Sequence, residues 1–309
     1  MTSVIGANEG NRTVLVTGGS GFLGQHLIPR LLTDGWKVVN VDLVAPSTPN
    51  HENLRNIIGD LRDHSVRESC FTESVDAVVH LAASISVIHS ATEPGSYFVN
   101  NVLVTQELLE LSRVHQVPQF VFASSVATVG EVGGTLITPD TPLRPLSPYG
   151  ASKAAAEMLV TAYGNAYEMR TVNIRFTNIY GPGLGKKDSL ISRLMKGAIG
   201  GPRLKIYGDG SQSRDYLYCD DAIAAVLVAL ATDISRTFIA GSGVSSTVLQ
   251  TIDSVAGVTG AAPQSELAPA NRLQMSHVVI DPTYAAHIGF TPKWSFHEGL
   301  VNTWQSFKL

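Results

Sequence analysis

The sequence predicts an α/β chain: a parallel, doubly wound sheet with a smaller C-terminal lobe. Three observations carry the prediction. Short β-branched runs alternate with helical patterns over residues 13–175, the order that builds a parallel sheet with helices on both faces. The first strand pattern runs straight into Gly18-Gly19-Ser20-Gly21-Phe22-Leu23-Gly24. Later strand patterns end in acids, alanines or serines, the residue types that gather where such a sheet receives ligands.

The first strand is Thr13–Thr17, a buried-type run of the parallel kind. Gly18, Gly21 and Gly24 then fall at Gly-x-x-Gly-x-x-Gly spacing ahead of a helical pattern at Phe22, Leu23, Leu27, Ile28, Leu31 and Leu32. The second strand runs from Lys37 to Val41 and ends in Asp42, 18 residues after Gly24. Strand, glycine turn, helix, strand and acid form a dinucleotide unit, the Rossmann pattern. Glycines let a pyrophosphate approach the amides at the helix start. Asp42 can accept hydrogen bonds from both hydroxyls of an adenosine ribose and repels a 2′-phosphate, which favours NAD over NADP. Ile57-Ile58-Gly59-Asp60 is a third strand; Asp60 either meets the adenine amino group or caps the next helix. A fourth strand ends in Leu81-Ala82-Ala83, and His80 within it reads as a core histidine. Residues 96–116 are helical and contain Asn100, a polar anchor. Phe120–Ser125 is a strand ending in two hydroxyls on the rim of the glycine turn.

Composition bounds the function. The chain has 309 residues, 44% of them hydrophobic and 16% charged, with net charge −4. No basic excess exists to neutralise phosphates, which excludes nucleic acid as the main partner. Cys70 and Cys219 are far apart and lack metal-site spacing; a reduced, cytoplasmic setting fits. No apolar stretch is long enough to span a membrane. Residues 1–12 read as a flexible tail, 13–175 with about 218–240 as the dinucleotide domain, and 176–217 with 241–309 as the lobe.

Ser147-Pro148-Tyr149-Gly150-Ala151-Ser152-Lys153 sits where a proline-rich linker becomes a helix. With Tyr149 opening that helix, Lys153 lies about 6 Å further along the axis on the same face. An ammonium there favours the phenolate and yields a base usable near neutral pH.

Taken together, Thr17-Gly18-x-x-Gly21-x-x-Gly24, Asp42, Leu81-Ala82-Ala83, Ser124-Ser125 and Tyr149-Gly150-x-x-Lys153 resemble the extended short-chain dehydrogenase/reductases. Within them, the chain resembles the NAD-dependent epimerase/dehydratase group acting on nucleotide-activated sugars. Asn178-Ile179-Tyr180-Gly181-Pro182-Gly183 and Gly208-Asp209-Gly210-x-x-x-Arg214-Asp215-Tyr216 resemble the nucleotide-sugar half of UDP-glucose 4-epimerase relatives. The resemblance implies that Ser125, Tyr149 and Lys153 are catalytic. It implies that Gly18, Gly21, Phe22, Leu23, Asp42, Asp60, Leu61, Leu81, Ala82, Ala83, Asn100, Tyr149 and Lys153 hold NAD. For a substrate it implies Ser125, Tyr149, Asn178, Leu190, Tyr207, Arg214 and Arg272. Ser84, Ser86 and Lys186/Lys187 are candidates for the sugar rim.

Departures from the group's pattern narrow the chemistry. Sugar 4,6-dehydratases carry an Asp-Glu pair directly after the catalytic hydroxyl, where this chain has Val126 and Ala127; dehydration needs an acid and a base there. UDP-glucuronate decarboxylases carry a Glu at the position of Ala127. After Arg272 an acidic residue is expected, and Gln274 and Met275 stand there instead. The resemblance implies 4-epimerisation of a nucleotide sugar, most simply UDP-linked, through a transient 4-keto sugar and with NAD not consumed. A net oxidoreductase on the same frame, or a non-catalytic nucleotide-binding relative, are the alternatives. Relatives pair as homodimers through two helices, here those near 97–115 and 150–166.

Overall fold

The computed structural model describes residues 12–233, 235–261 and 263–307; the side chain of Lys186 and the tail residues 1–11 lie outside the described part. In chain order the strands are β1 Thr13–Thr17, β2 Lys37–Asp42, β3 Leu54–Ile58, β4 Ala77–His80, β5 Gln119–Ser125, β6 Arg170–Phe176, β7 Asn178–Tyr180, β8 Leu204–Tyr207, β9 Ser213–Tyr218, β10 Arg236–Ala240, β11 Ser245–Thr247 and β12 Ser265–Ala268. Seven of them make one sheet in the order β10-β6-β5-β4-β1-β2-β3, with every pairing parallel. The order reverses between β1 and β4. That switch point opens the crevice in which such sheets bind ligands.

Both faces of the sheet are covered, which explains its continuous apolar strands. On one face Val14, Val16, Val79, Val172 and Ile174 pack with Leu27, Ile28 and Leu31 of helix Gly24–Thr33 and with Ala222, Ala225 and Val226 of helix Cys219–Ala231. On the other, Leu15, Val39, Val78, Phe120 and Phe122 meet Leu108 and Leu109 of helix Val104–Val114 and Ala156 and Val160 of helix Pro148–Ala166. The smaller lobe carries the sheets β11-β9-β7 and β12-β8 and its own core around Tyr180, Leu194, Tyr216 and Trp304. The sequence places residues after 241 mostly in the lobe. However, Ala285 and Phe290 return to the core of the main sheet.

Two acids of the second motif are structural. Asp215 is fully buried and accepts from Thr177 Oγ1 (2.9 Å) and from the amides of Ser242 (2.8 Å) and Gly243 (2.7 Å). It does not pair with Arg214, because neighbours on a strand point to opposite faces. Asp221 accepts from the amides of Lys293 and Trp294 and so ties helix Cys219–Ala231 to the C-terminal segment.

A buried ion pair underlies the site. Arg175 on β6 and Glu157 on helix Pro148–Ala166 meet at 2.6 Å with side chains 5% and 4% exposed. Ser124 donates to the same carboxylate at 2.6 Å, and Arg175 also donates to Pro139 O in the proline linker at 2.8 Å. Removing one member of such a pair leaves a buried uncompensated charge, at a cost of about 3–5 kcal/mol. Glu157→Gln is therefore expected to lower the urea unfolding free energy by about that amount, while Glu68→Gln on the surface shifts it by no more than about 0.5 kcal/mol.

Candidate functional site

A cavity of about 900 Å³ runs from the glycine turn, across the C-terminal ends of β1, β4 and β5, into the smaller lobe. Its dinucleotide end is built by backbone geometry. Gly18 adopts φ +71°, and a Cβ there would lie 2.7 Å from the Ala82 amide nitrogen; only glycine lets the turn close against the end of β4. Gly24 packs its Cα face on Gly19, where a side chain would collide. A Cβ on Gly21 would meet only Gly18 O, at 3.1 Å. Its missing side chain opens the cavity wall rather than relieving a clash. Helix Gly24–Thr33 starts there without a side-chain cap, so its first amides can take an anion.

Asp42 ends β2 beside this turn. One carboxylate oxygen accepts from Ser20 N at 3.0 Å and the other from Val44 N at 3.2 Å, which fixes the group and leaves lone pairs toward the cavity. Asp60 lines the cavity too. Its carboxylate is held by Arg62 in a two-pronged contact at 2.5 and 2.9 Å, and that hydrogen bond holds its pKa below the usual value. The alternative reading of Asp60 as a helix cap is corrected: Asp63 caps helix His64–Ser69 by accepting from Ser65 N.

The polar floor comes next. Ser125 closes β5 and accepts from Ala127 N at 3.2 Å. Tyr149 enters from helix Pro148–Ala166, whose start is fixed by Pro148 at N1 and by Ser147 accepting from Gly150 N. A Cβ on Gly150 would sit 2.5 Å from Ala127 O, so glycine here lets the helix come down onto the turn that carries Ser125. The phenol is buried, edge-on to the Tyr97 ring at 6.4 Å. Ser124 donates into the Glu157–Arg175 pair, which leaves Ser125 as the hydroxyl at the end of β5 that meets Tyr149.

Burial decides the protonation state, and it corrects the expectation of a ready phenolate. Desolvation raises the Tyr149 pKa above its ordinary value, and a hydrogen bond with Ser125 opposes this only in part. Lys153 is buried as well, and desolvation lowers its pKa to about 7. Its Nζ donates to Ala123 O at 2.8 Å and lies 4.6 Å from the Phe122 ring centroid. The amine is thus drawn to β5. Helical spacing puts it on the face of Tyr149 without making it a strong phenolate partner.

A polar network supports the floor; it joins the expected residues Asn100 and Ser84 to Asn101 and Ser152, which the sequence reading missed. Residues Val99–Leu103 form a π-helical turn, a feature common at functional sites. It aims two asparagines at one serine. Asn100 Nδ2 donates to Ser84 Oγ at 2.9 Å. Asn101, fully buried, accepts from Ser84 N at 2.8 Å and donates to Ser84 O and to Ser152 Oγ. The adjacent pair Asn100-Asn101 in an otherwise apolar helical pattern was the available signal. His80 is the core histidine expected: it bonds Thr17 Oγ1 at 2.6 Å and Thr105 Oγ1 at 2.9 Å, and burial lowers its pKa to about 3.

At the lobe end, Asn178 donates to Asp215 O at 3.2 Å. Arg214 donates to Ser213 O at 2.8 Å and to Gln274 Oε1 at 3.4 Å. Gln274 therefore orients Arg214 where an acid was expected to serve the ligand. The structure brings Phe22, Leu23, Leu61, Leu81, Ala82, Ala83, Ser84, Ser86, Leu190, Tyr207 and Lys187 to the same wall. Arg272 is the exception. It is exposed and absent from the cavity wall, because a turn closed by Leu273 N on Asn271 Oδ1 and Gln274 N on Asn271 O carries Leu273 and Gln274 inward instead. Arg272 as a substrate contact is thereby corrected.

Fold and site together define a dinucleotide-binding protein whose cofactor crevice continues into a second ligand cleft. A model of the NAD dependent epimerase/dehydratase family matches residues 14–241, and the chain belongs to that family. It is 33% identical to the Low-salt glycan biosynthesis protein Agl12 of Haloferax volcanii, over 93% of this chain and 96% of that protein. It is 30% identical to a UDP-glucose 4-epimerase of Mycolicibacterium smegmatis, over 95% of this chain and 98% of that one. Among solved structures it is similar to MoeE5 in complex with UDP-glucuronic acid and NAD, with TM-score 0.90, 33% identity, and 96% and 99% of the two chains covered. NAD is the cofactor of the family, and the glycine cradle with Asp42 fits it.

Two outcomes are expected. Asp42→Ala loses hydrogen bonds to a charged acceptor, worth about 1.5–3 kcal/mol, so calorimetric affinity for NAD falls about 10- to 100-fold while that for NADP changes less. Cofactor-free protein holds Tyr149 as a phenol at neutral pH. Adding NAD produces a tyrosinate signal in the ultraviolet difference spectrum that Tyr149→Phe lacks.

Proposed function

We propose that this protein is an NAD-dependent nucleotide-sugar epimerase, which inverts C4 of a UDP-hexose or UDP-hexuronate through a transient 4-keto sugar. One observation carries the reading. Ser125 and Tyr149 stand midway along a single cavity whose one end is a dinucleotide cradle and whose other end presents Asn178 and Arg214. Bound NAD supplies a hydride acceptor that later gives the hydride back. The chain supplies everything else. Tyr149 takes the proton of the sugar hydroxyl as general base. Ser125 hydrogen-bonds the same oxygen and fixes its position. Lys153, held at Ala123 O, orients the cofactor ribose beside the phenol. Asn178 and Arg214 grip the diphosphate, Arg214 through the planar fork suited to phosphate oxygens.

Val126 and Ala127 line the cavity directly after Ser125. They offer no proton donor or acceptor to the far side of the sugar ring. The ketone can therefore turn over without losing water or carbon dioxide. The matches to a UDP-glucose 4-epimerase and to MoeE5 with a UDP-sugar and NAD support the same reading.

Two coarser features complete it. Among the described residues no helix is long and apolar enough to cross a membrane. Cys70 and Cys219 are buried free thiols, which supports a reduced, cytoplasmic setting. Phe98, Leu103, Met158 and Tyr167 are exposed at 59%, 43%, 63% and 44%, along the two helical segments that would pair in a homodimer. Exposed apolar patches of this kind mark association surfaces.

Purified protein is expected to interconvert UDP-glucose and UDP-galactose with no external cofactor and no net change in nicotinamide absorbance. Tyr149→Phe should lower kcat about 10²- to 10⁴-fold with NAD still bound, and Ser125→Ala about 10²- to 10³-fold. Stoichiometric consumption of NAD, or full activity of Tyr149→Phe, would refute the assignment. Phe98→Asp with Met158→Asp should convert the dimer to a monomer by light scattering.

A further inference from the structure

With Arg272 turned to solvent, the lobe offers Arg214 to a ligand carrying two phosphates; Arg193 also lines the cavity but is paired with Asp188, and Lys205 there is exposed. A second cation enters from an unexpected segment. Lys187 follows the short turn Leu184–Lys186 and lines the cavity. Its Nζ makes one long hydrogen bond, 3.4 Å to Ile179 O, and lies 5.4 Å from the centroid of Phe22 in the glycine turn. The adjacent carboxylate, Asp188, is taken by Arg193 at 2.5 and 2.6 Å. Burial lowers the pKa of Lys187 to about 8: its charge is poorly compensated in the free protein. An ammonium has three donors, and among the described residues one is spent, on Ile179 O.

The placement is specific. Ile179 directly follows Asn178 on β7, and β7 runs parallel to β9 with Asn178 opposite Tyr216. Arg214 lies two residues before Tyr216, about 7 Å along the strand. Lys187, bonded to the residue after Asn178, thus lines the same cavity as Asn178 on the edge strand β7 and Arg214 on its neighbour β9.

We propose that Lys187 is a substrate-binding residue, the second cation that grips the diphosphate of the nucleotide sugar. The inference rests on the nucleotide-sugar reading and assigns a residue to that site. The cofactor pyrophosphate is the competing source of the same chemistry, because Phe22 belongs to its cradle.

The test measures UDP, uridine and NAD binding to the whole chain by calorimetry. Lys187→Gln should weaken UDP at least tenfold and leave uridine and NAD within twofold. Lys187→Arg should recover most of the UDP affinity, and Arg272→Ala should leave UDP within twofold of wild type. Unchanged NAD binding certifies that each variant is folded. Equal loss for UDP and uridine, no loss for UDP, or a loss confined to NAD would overturn the proposal. If wild-type protein itself binds no UDP, the nucleotide-sugar reading fails first, a result distinct from UDP binding that ignores Lys187.

Discussion

The site depends on a charge pair that never meets solvent. Glu157 and Arg175 join helix Pro148–Ala166 to β6, Ser124 joins them to β5, and Pro139 brings in the linker. Tyr149 and Lys153 sit on that helix, and Ser125 is the next residue on that strand. Fixing helix against strands therefore fixes phenol against hydroxyl. A hydrophobic contact could hold the two elements together as tightly. It would not fix their register along the strand as sharply, because apolar contacts are not directional, whereas a guanidinium–carboxylate fork is.

The same burial creates a tension. A dry floor strengthens hydrogen bonds to a reacting oxygen, yet it pushes the two ionisable groups on it toward neutrality. Tyr149 is raised and Lys153 lowered by one cause, desolvation. The free protein thus holds a phenol and a weakened ammonium, not a formed ion pair. On the proposed mechanism Tyr149 becomes a competent base only with compensating positive charge nearby, which confines proton transfer to the loaded site. At the lobe end the problem recurs with opposite sign, since Arg214 and Lys187 are both held below their ordinary pKa values by burial and gain from an anion.

Much of this was legible in the residues. The parallel, doubly wound sheet followed from alternating patterns, and the glycine spacing located the cofactor cradle because Gly18 and Gly24 answer contacts that a side chain would violate, while Gly21 leaves the cavity wall open. Tyr149, Ser125, Asn178 and Arg214 were recognisable because their chemistry is tied to short motifs at strand and helix ends. What escaped depended on long-range placement. The role of Asp215 was hidden because its partners, Thr177, Ser242 and Gly243, lie far along the chain. Lys153 shared a helical face with Tyr149, but the carbonyl of Ala123 that captures it is 30 positions away. Arg272 matched a motif position, and a local turn at Asn271 rotated it out. The π-helical turn at Val99–Leu103 has no clear signal in composition, since it shifts the hydrogen-bond ladder by one residue without altering the apolar pattern.

The central claim is that Tyr149 removes only the hydroxyl proton, while the hydrogen on the same carbon leaves and returns without reaching water. A nucleotide sugar carrying deuterium at C4 tests this directly. Mass spectrometry and NMR of the inverted product should show the label retained at C4 after many turnovers in ordinary water. Washout of deuterium to solvent at a rate matching inversion would contradict the account, because the carbon-bound hydrogen would then have exchanged as a proton.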